Sequence, residues 1–271
     1  MSLTGFADFN GGKLYYEVAG SGLPLVLIHG GLVNSGLWDK QFFALTEHHR
    51  VVRYDVRGYG QSDGPTAPFS HHADLRQLLD FLNIERAAVL GLSMGGAIAI
   101  DFALAYPERT AALIPVAAAI SGLRPPDSVR SQWSSIGEAY ERGDKALALE
   151  LSLQVWTLGP QRTPDQVDAA VLDHIRAMTA HEFARLEIDD GLLQQLDPPA
   201  CDRLGDIQVP TLVISGDADI PYINGNMIHL AATVPGAQHV VIHDAAHHLP
   251  LEKPEQFNRV VLDFLREIGN R

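Results

Sequence analysis

The chain has 271 residues, 46% hydrophobic and 20% charged, which is ordinary for a globular protein near the size where a single core stops growing. Its 20 Lys and Arg against 33 Asp and Glu leave a formal net charge of −13, which opposes phosphate backbones and anionic lipid surfaces and argues against nucleic-acid and membrane partners. No stretch approaches the roughly 20 apolar residues of a bilayer span, no basic-then-apolar leader opens the chain, and a lone Cys201 precludes an internal disulfide, so a cytoplasmic protein is expected.

In chain order, residues 6–9 and 14–18 flank Asn10-Gly11-Gly12 and predict an opening hairpin. Residues 25–28 form a buried strand that runs into His29-Gly30-Gly31. Residues 50–55 form another, running into Val56-Arg57-Gly58-Tyr59-Gly60-Gln61-Ser62. Helical spacing covers 72–82, with Leu75, Leu78, Leu79 and Leu82 on one stripe. The apolar run 87–90 predicts a strand, and the Ala-rich stretch after Gly96 predicts a helix that ends near Tyr106, before Pro107. A further strand covers 111–117. From Gly122 to about Gly205 strand-like runs are missing, and helices are expected at 128–142, 144–156, 164–180 and 183–196. Strands resume at 209–214 and 238–242, and a last helix covers 254–268. This order predicts an α/β fold with a mostly parallel sheet. Residues 1–121 and 207–271 would form the core, and 122–206 a helical cap over the sheet edge where ligands bind.

Between the strand at 87–90 and its helix stands Gly91-Leu92-Ser93-Met94-Gly95-Gly96. Glycines on both sides of the serine let strand and helix approach closely and present Ser93 on a sharp turn, the G-x-S-x-G nucleophile elbow. A serine hydroxyl is a weak nucleophile at neutral pH, so it needs a base, and the base needs an orienting acid. Two later loops supply candidates: Gly216-Asp217-Ala218-Asp219 offers two carboxylates, and Ala246-His247-His248 two imidazoles. The backbone N–H of Met94, next after the nucleophile, would be one oxyanion donor, and the loop at Gly30-Gly31-Leu32 would supply the other. No close metal-ligand pattern occurs, and neither metal nor organic cofactor is expected.

With these loops the chain resembles the α/β-hydrolase fold superfamily, of the capped serine esterase or lactonase type, over residues 5–120 and 207–269. The family places its acid as G-x-x-D, which implies Asp219, and its histidine as G-H-x-x-x-x-E-x-P. Counting back from Glu252 implies His247, with Ala246 in place of the usual glycine. The stretch D-x-R-G-x-G-x-S, from Asp55 to Ser62, is also typical. The resemblance implies Gly31 as the second oxyanion donor, with Leu32 the alternative if the loop is shifted, and gives Glu252 a loop-fixing role. His48-His49 and His71-His72 read as surface residues.

The implied chemistry is hydrolysis of a carboxylic ester or lactone through an acyl-enzyme. A carbon–carbon bond hydrolase with the same triad is the alternative, and a ligand receptor on the same fold a more distant one. In the cap, Trp133, Ile136, Leu149, Leu151, Leu153, Val155, Trp156 and Leu158 offer apolar surface. Leu32, Trp133 and Trp156 are the candidate substrate contacts, for a small and mainly apolar molecule. The acidic cap disfavours a strongly anionic substrate, and no motif speaks to oligomeric state.

Overall fold

The computed structural model describes residues 3–9, 11–185 and 190–269. Eight strands form one sheet: β1 (Leu3–Phe9), β2 (Gly12–Ala19), β3 (Pro24–Ile28), β4 (Arg50–Tyr54), β5 (Ala87–Leu92), β6 (Thr110–Val116), β7 (Leu212–Gly216) and β8 (Gln238–Ile242). Their order is β1-β2-β4-β3-β5-β6-β7-β8. The β1/β2 and β2/β4 pairs are antiparallel and all later pairs parallel. The hairpin forms as expected, with Phe9 opposite Gly12; Asn10 of its turn lies outside the described residues. The central strands are apolar on both faces because helices cover both faces.

On one face α1 (Asp39–Leu45) and α9 (Pro254–Gly269) pack Phe42, Phe257, Val261 and Phe264 against Leu25, Leu27, Leu90 and Ile114. The other face carries α2 (His71–Phe81), α3 (Met94–Ala105) and α7 (Pro221–Thr233). They bring Leu75, Ile98, Phe102 and Met227 onto Val26, Val89 and Val213. Leu75, Leu78 and Leu79 of the expected stripe are fully buried.

Between β6 and β7 lie α4 (Asp127–Glu141), α5 (Lys145–Ser152) and α6 (Ala169–Arg185). The short α8 (Leu249–Glu252) follows the histidine loop. The expected continuous helix at 144–156 divides into two parts. Asp144 caps it by accepting from Leu147 N–H, α5 stops at Ser152, and Leu153–Leu158 continues as a wide π turn. Such bulges cluster at functional sites. The separate helix expected at 183–196 is not present. Phe183 lies in the last turn of α6, residues 186–189 fall outside the described residues, and Asp190–Leu192 is a 3₁₀ turn. Leu193 instead bridges to Phe69 as extended chain, because tertiary pairing outweighs its helical propensity there.

Two pairs of histidines also differ from expectation. His49 is buried and His71 and His72 are half-buried, while only His48 is exposed. Desolvation lowers the pKa of His71 to about 4. No helix among the described residues is long and apolar enough to cross a membrane.

Candidate active site

Ser93 sits between β5 and α3 with φ +56° and ψ −113°, a strained conformation for a residue with a Cβ. Glycine is required around it. A Cβ on Gly91 would overlap the Gly95 carbonyl, and one on Gly95 would overlap the carbonyls of Ile28 and His29. The strained turn is held by three backbone bonds. Ser93 N–H donates to Val116 O at 2.9 Å, and Ser93 O accepts from Ala97 and Ala119 N–H at 3.0 and 3.2 Å.

Asp219 follows β7 and His247 follows β8, so parallel neighbours carry both loops to the same end of the sheet as the elbow. His247 Nδ1 and Asp219 Oδ2 are 2.7 Å apart, and both residues are 3% exposed. Asp219 Oδ1 accepts from Ile220 N–H at 2.7 Å, which fixes the carboxylate plane. Asp217 takes no part. It pairs with the exposed His243 at 2.8 Å and accepts from Asp244 N–H. With Nδ1 committed to Asp219, the free Nε2 of His247 is the nitrogen available to a nucleophile. Ser93 and His247 line one cavity of about 520 Å³, a size suited to a small organic molecule.

Gly31, Leu32 and Met94 line the same cavity. The loop ahead of Gly31 is held by His29, which is fully buried. Its Nδ1–H donates to Gly30 O at 2.7 Å while Nε2 accepts from Val56 N–H at 2.9 Å. The bond from Val56 needs the neutral ring, and burial lowers its pKa to match. Leu32 has φ +59°, so the chain turns sharply after Gly31. The Asp55–Ser62 stretch braces this loop: Asp55 accepts from Ser35 and Gln61 N–H, each at 2.8 Å, and Ser62 Oγ donates to Asp55 O at 2.6 Å. A buried bidentate pair, Arg57 with Asp74, holds the stretch to α2.

Trp133, Leu153 and Trp156 reach the cavity from the cap. The Trp156 ring lies 4.6 Å from that of His247, and Trp133 packs on Trp156 at 5.4 Å. Ile136 instead joins Ala139, Ala148 and Phe183 in a separate small core, against which Leu149, Leu151 and Val155 pack. Leu158 is buried outside the cavity lining.

Two polar clamps between cap and core left no local mark in the sequence. Arg162 donates to both oxygens of Glu252 at 2.6 and 3.2 Å, to Thr157 O at 2.6 Å and to Leu158 O at 2.9 Å. Glu252 Oε1 also accepts from Ala246 N–H at 2.9 Å, so the guanidinium joins the π turn to the residue before His247. This gives Glu252 the loop-fixing place expected of it. The second clamp is Glu182 on α6, 1% exposed, which accepts from Asn34 Nδ2 at 2.7 Å and Gly60 N–H at 3.1 Å. Their partners stand 90 and 148 residues away in sequence, beyond the reach of a spacing rule. No group of three or more His, Cys, Asp or Glu among the described residues could hold a metal ion.

Comparison with known proteins bears on the fold and the family. Residues 25–260 match the model of the alpha/beta hydrolase family. A provisionally assigned carbamate hydrolase, RutD, of Azorhizobium caulinodans is 32% identical over 273 residues, covering 97% of this chain and 98% of the relative. The 2-hydroxy-6-oxononadienedioate/2-hydroxy-6-oxononatrienedioate hydrolase 2 of Pseudomonas putida is 29% identical over 268 residues, covering 94% and 92%. Among solved structures, the enol-lactonase of Burkholderia xenovorans LB400 superposes with a TM-score of 0.77 at 27% identity, over 97% of this chain and 100% of that one. A chain with this sheet order and these matches belongs to the alpha/beta hydrolase family.

Proposed function

We propose that the protein hydrolyses uncharged carboxylic esters or lactones through an acyl-enzyme on Ser93. The observation that carries this reading is the buried His247–Asp219 pair, 2.7 Å apart, facing the cavity of a serine held at φ +56°. Ser93 Oγ attacks the carbonyl carbon and His247 Nε2 takes its proton, while Asp219 holds the imidazole tautomer and stabilises the imidazolium. The N–H groups of Gly31 and Met94 receive the oxyanion, aided by the positive end of α3. His247 then returns the proton to the leaving oxygen, and a water activated by the same nitrogen releases the acid.

The cavity lining favours esters over the carbon–carbon alternative. No Lys or Arg is among its described residues, and Arg162 is spent on Glu252. A dienedioate, the substrate class in the name of the Pseudomonas putida relative, carries two carboxylates that would be desolvated here without a cation. The apolar wall of Trp133, Leu153 and Trp156 suits an uncharged acyl chain or lactone ring.

The test is a substrate panel of short esters, γ- and δ-lactones and a vinylogous 1,5-diketone acid, run with wild type and Ser93→Ala. The expected result is turnover of esters or lactones, lost in Ser93→Ala, with the diketone acid at least about tenfold poorer. Preferential cleavage of the diketone acid would overturn the ester reading, and undiminished turnover in Ser93→Ala the nucleophile.

A further inference from the structure

Two consecutive histidines receive two consecutive side chains of the π turn Leu153–Leu158. Trp156 lies against His247, and Thr157 Oγ1 meets His248 Nδ1 at 3.3 Å. His248 and Thr157 both line the cavity, and His248 is only 5% exposed. Its ring stands nearly perpendicular to that of His247, with centroids 5.8 Å apart.

Desolvation, reinforced by the neighbouring His247, pushes the His248 pKa down to about 3. The ring is therefore neutral wherever His247 can act as a base, and it carries one proton and one lone pair. A neutral His248 in its Nε2–H tautomer would accept the Thr157 hydroxyl proton at Nδ1. In that tautomer the imidazole proton stands on Nε2, on a ring that lines the cavity. A leucine would fill the same wall without burying a donor.

We propose that His248 Nε2–H, oriented by Thr157, is a substrate-binding donor that selects esters or lactones with a second acceptor oxygen in the alcohol half. This rests on the roles given above to Ser93 and His247. Asp219 occupies Nδ1 of His247, which leaves its Nε2 for the leaving oxygen, and on this reading the alcohol half lies beside the neighbouring ring. The chemical class is an ether, hydroxyl or carbonyl oxygen, uncharged because no Lys or Arg lines the cavity.

A matched pair tests it: butyl butanoate against 2-methoxyethyl butanoate, equal in heavy atoms and differing by one acceptor. The readout is the ratio of kcat/KM for the methoxyethyl over the butyl ester in wild type, His248→Leu and Thr157→Val. The wild-type ratio should exceed that of His248→Leu by about three- to tenfold, the scale of one neutral hydrogen bond, with Thr157→Val between them. Ethyl 3-methoxypropanoate against ethyl pentanoate, which moves the acceptor to the acyl half, should give the same ratio in all three proteins. Equal alcohol-half ratios in wild type and variants would overturn the proposal, as would a change confined to the acyl pair. Should His248→Leu fail to fold, wild type against Thr157→Val decides by the same criterion. Ester turnover without discrimination removes only the His248 assignment, whereas no ester turnover together with an unlabelled Ser93 removes the parent reading as well.

Discussion

Replacing Arg162 with methionine strikes the clamp that joins the cap to the histidine loop. The side chains of Arg162 and Glu252 are 11% and 5% exposed, so the small worth of a surface ion pair does not apply. Removing the guanidinium leaves Glu252 as a buried carboxylate with only Ala246 N–H for a partner, and takes a donor from Thr157 O and Leu158 O. Breaking one side of a buried pair costs about 3–5 kcal/mol. For a chain of this size that corresponds to a fall in Tm of roughly 5–9 °C. The double variant Arg162→Met/Glu252→Leu strands no charge, so it should melt above the single variant despite carrying one more substitution. The freed loop should also lower kcat on a short ester, since Ala246 precedes His247 directly. Thermal unfolding by circular dichroism, alongside kcat and KM, reads all three proteins. A fall in Tm below about 3 °C for Arg162→Met, or a double variant less stable than it, would refute the reasoning.

Asp219→Asn should lower kcat by about 10⁴, the loss seen when a triad histidine is left in the wrong tautomer. Asp217→Asn should stay within about fivefold, the scale of an exposed pair, and the reverse ranking in steady-state kinetics would move the acid to Asp217. Gly95→Ala should give no soluble folded protein, because its Cβ overlaps the carbonyls of Ile28 and His29; a native circular dichroism spectrum would contradict this. His248, with its folded pKa of about 3, is neutral in the fold but protonates in the unfolded chain below about 6.5. The unfolded state therefore binds more protons between those values, and His248 makes stability fall as pH drops through that window. His248→Gln should flatten the slope of unfolding free energy between pH 6 and 4 by about 1.4 kcal/mol per pH unit, measured in urea. An unchanged slope would contradict the assignment.

The elbow, the sheet strands and both loops bearing Asp219 and His247 were legible because each is a local pattern. A serine among glycines carries its geometry in its spacing, whereas the choice of His247 over His248 came from the family resemblance. The choice between Asp217 and Asp219 rested on family resemblance, and the structure separates them by partner: one meets the exposed His243, the other the buried His247. The cap was less legible. Residues 144–156 read as one helix, yet the chain widens at Leu153, where Trp156 and Thr157 take up contacts with His247 and His248. In the stretch 183–196, expected as a helix, Leu193 pairs with Phe69, a partner periodicity does not reveal. His49 looked like a surface residue because polarity says nothing of the loop that covers it. Arg162 and Glu182 are ordinary charged residues until the fold brings Glu252, Asn34 and Gly60 to them.

The most direct test of the central claim is covalent. A fluorophosphonate probe forms a stable adduct only with a serine activated as His247 and Asp219 would activate Ser93. Intact-protein mass spectrometry should show one adduct on wild type, peptide mapping should locate it at Ser93, and labelling should be lost in Ser93→Ala and strongly slowed in His247→Gln. Labelling of Ser93→Ala at the wild-type rate, or an adduct on any other residue, would contradict the claim.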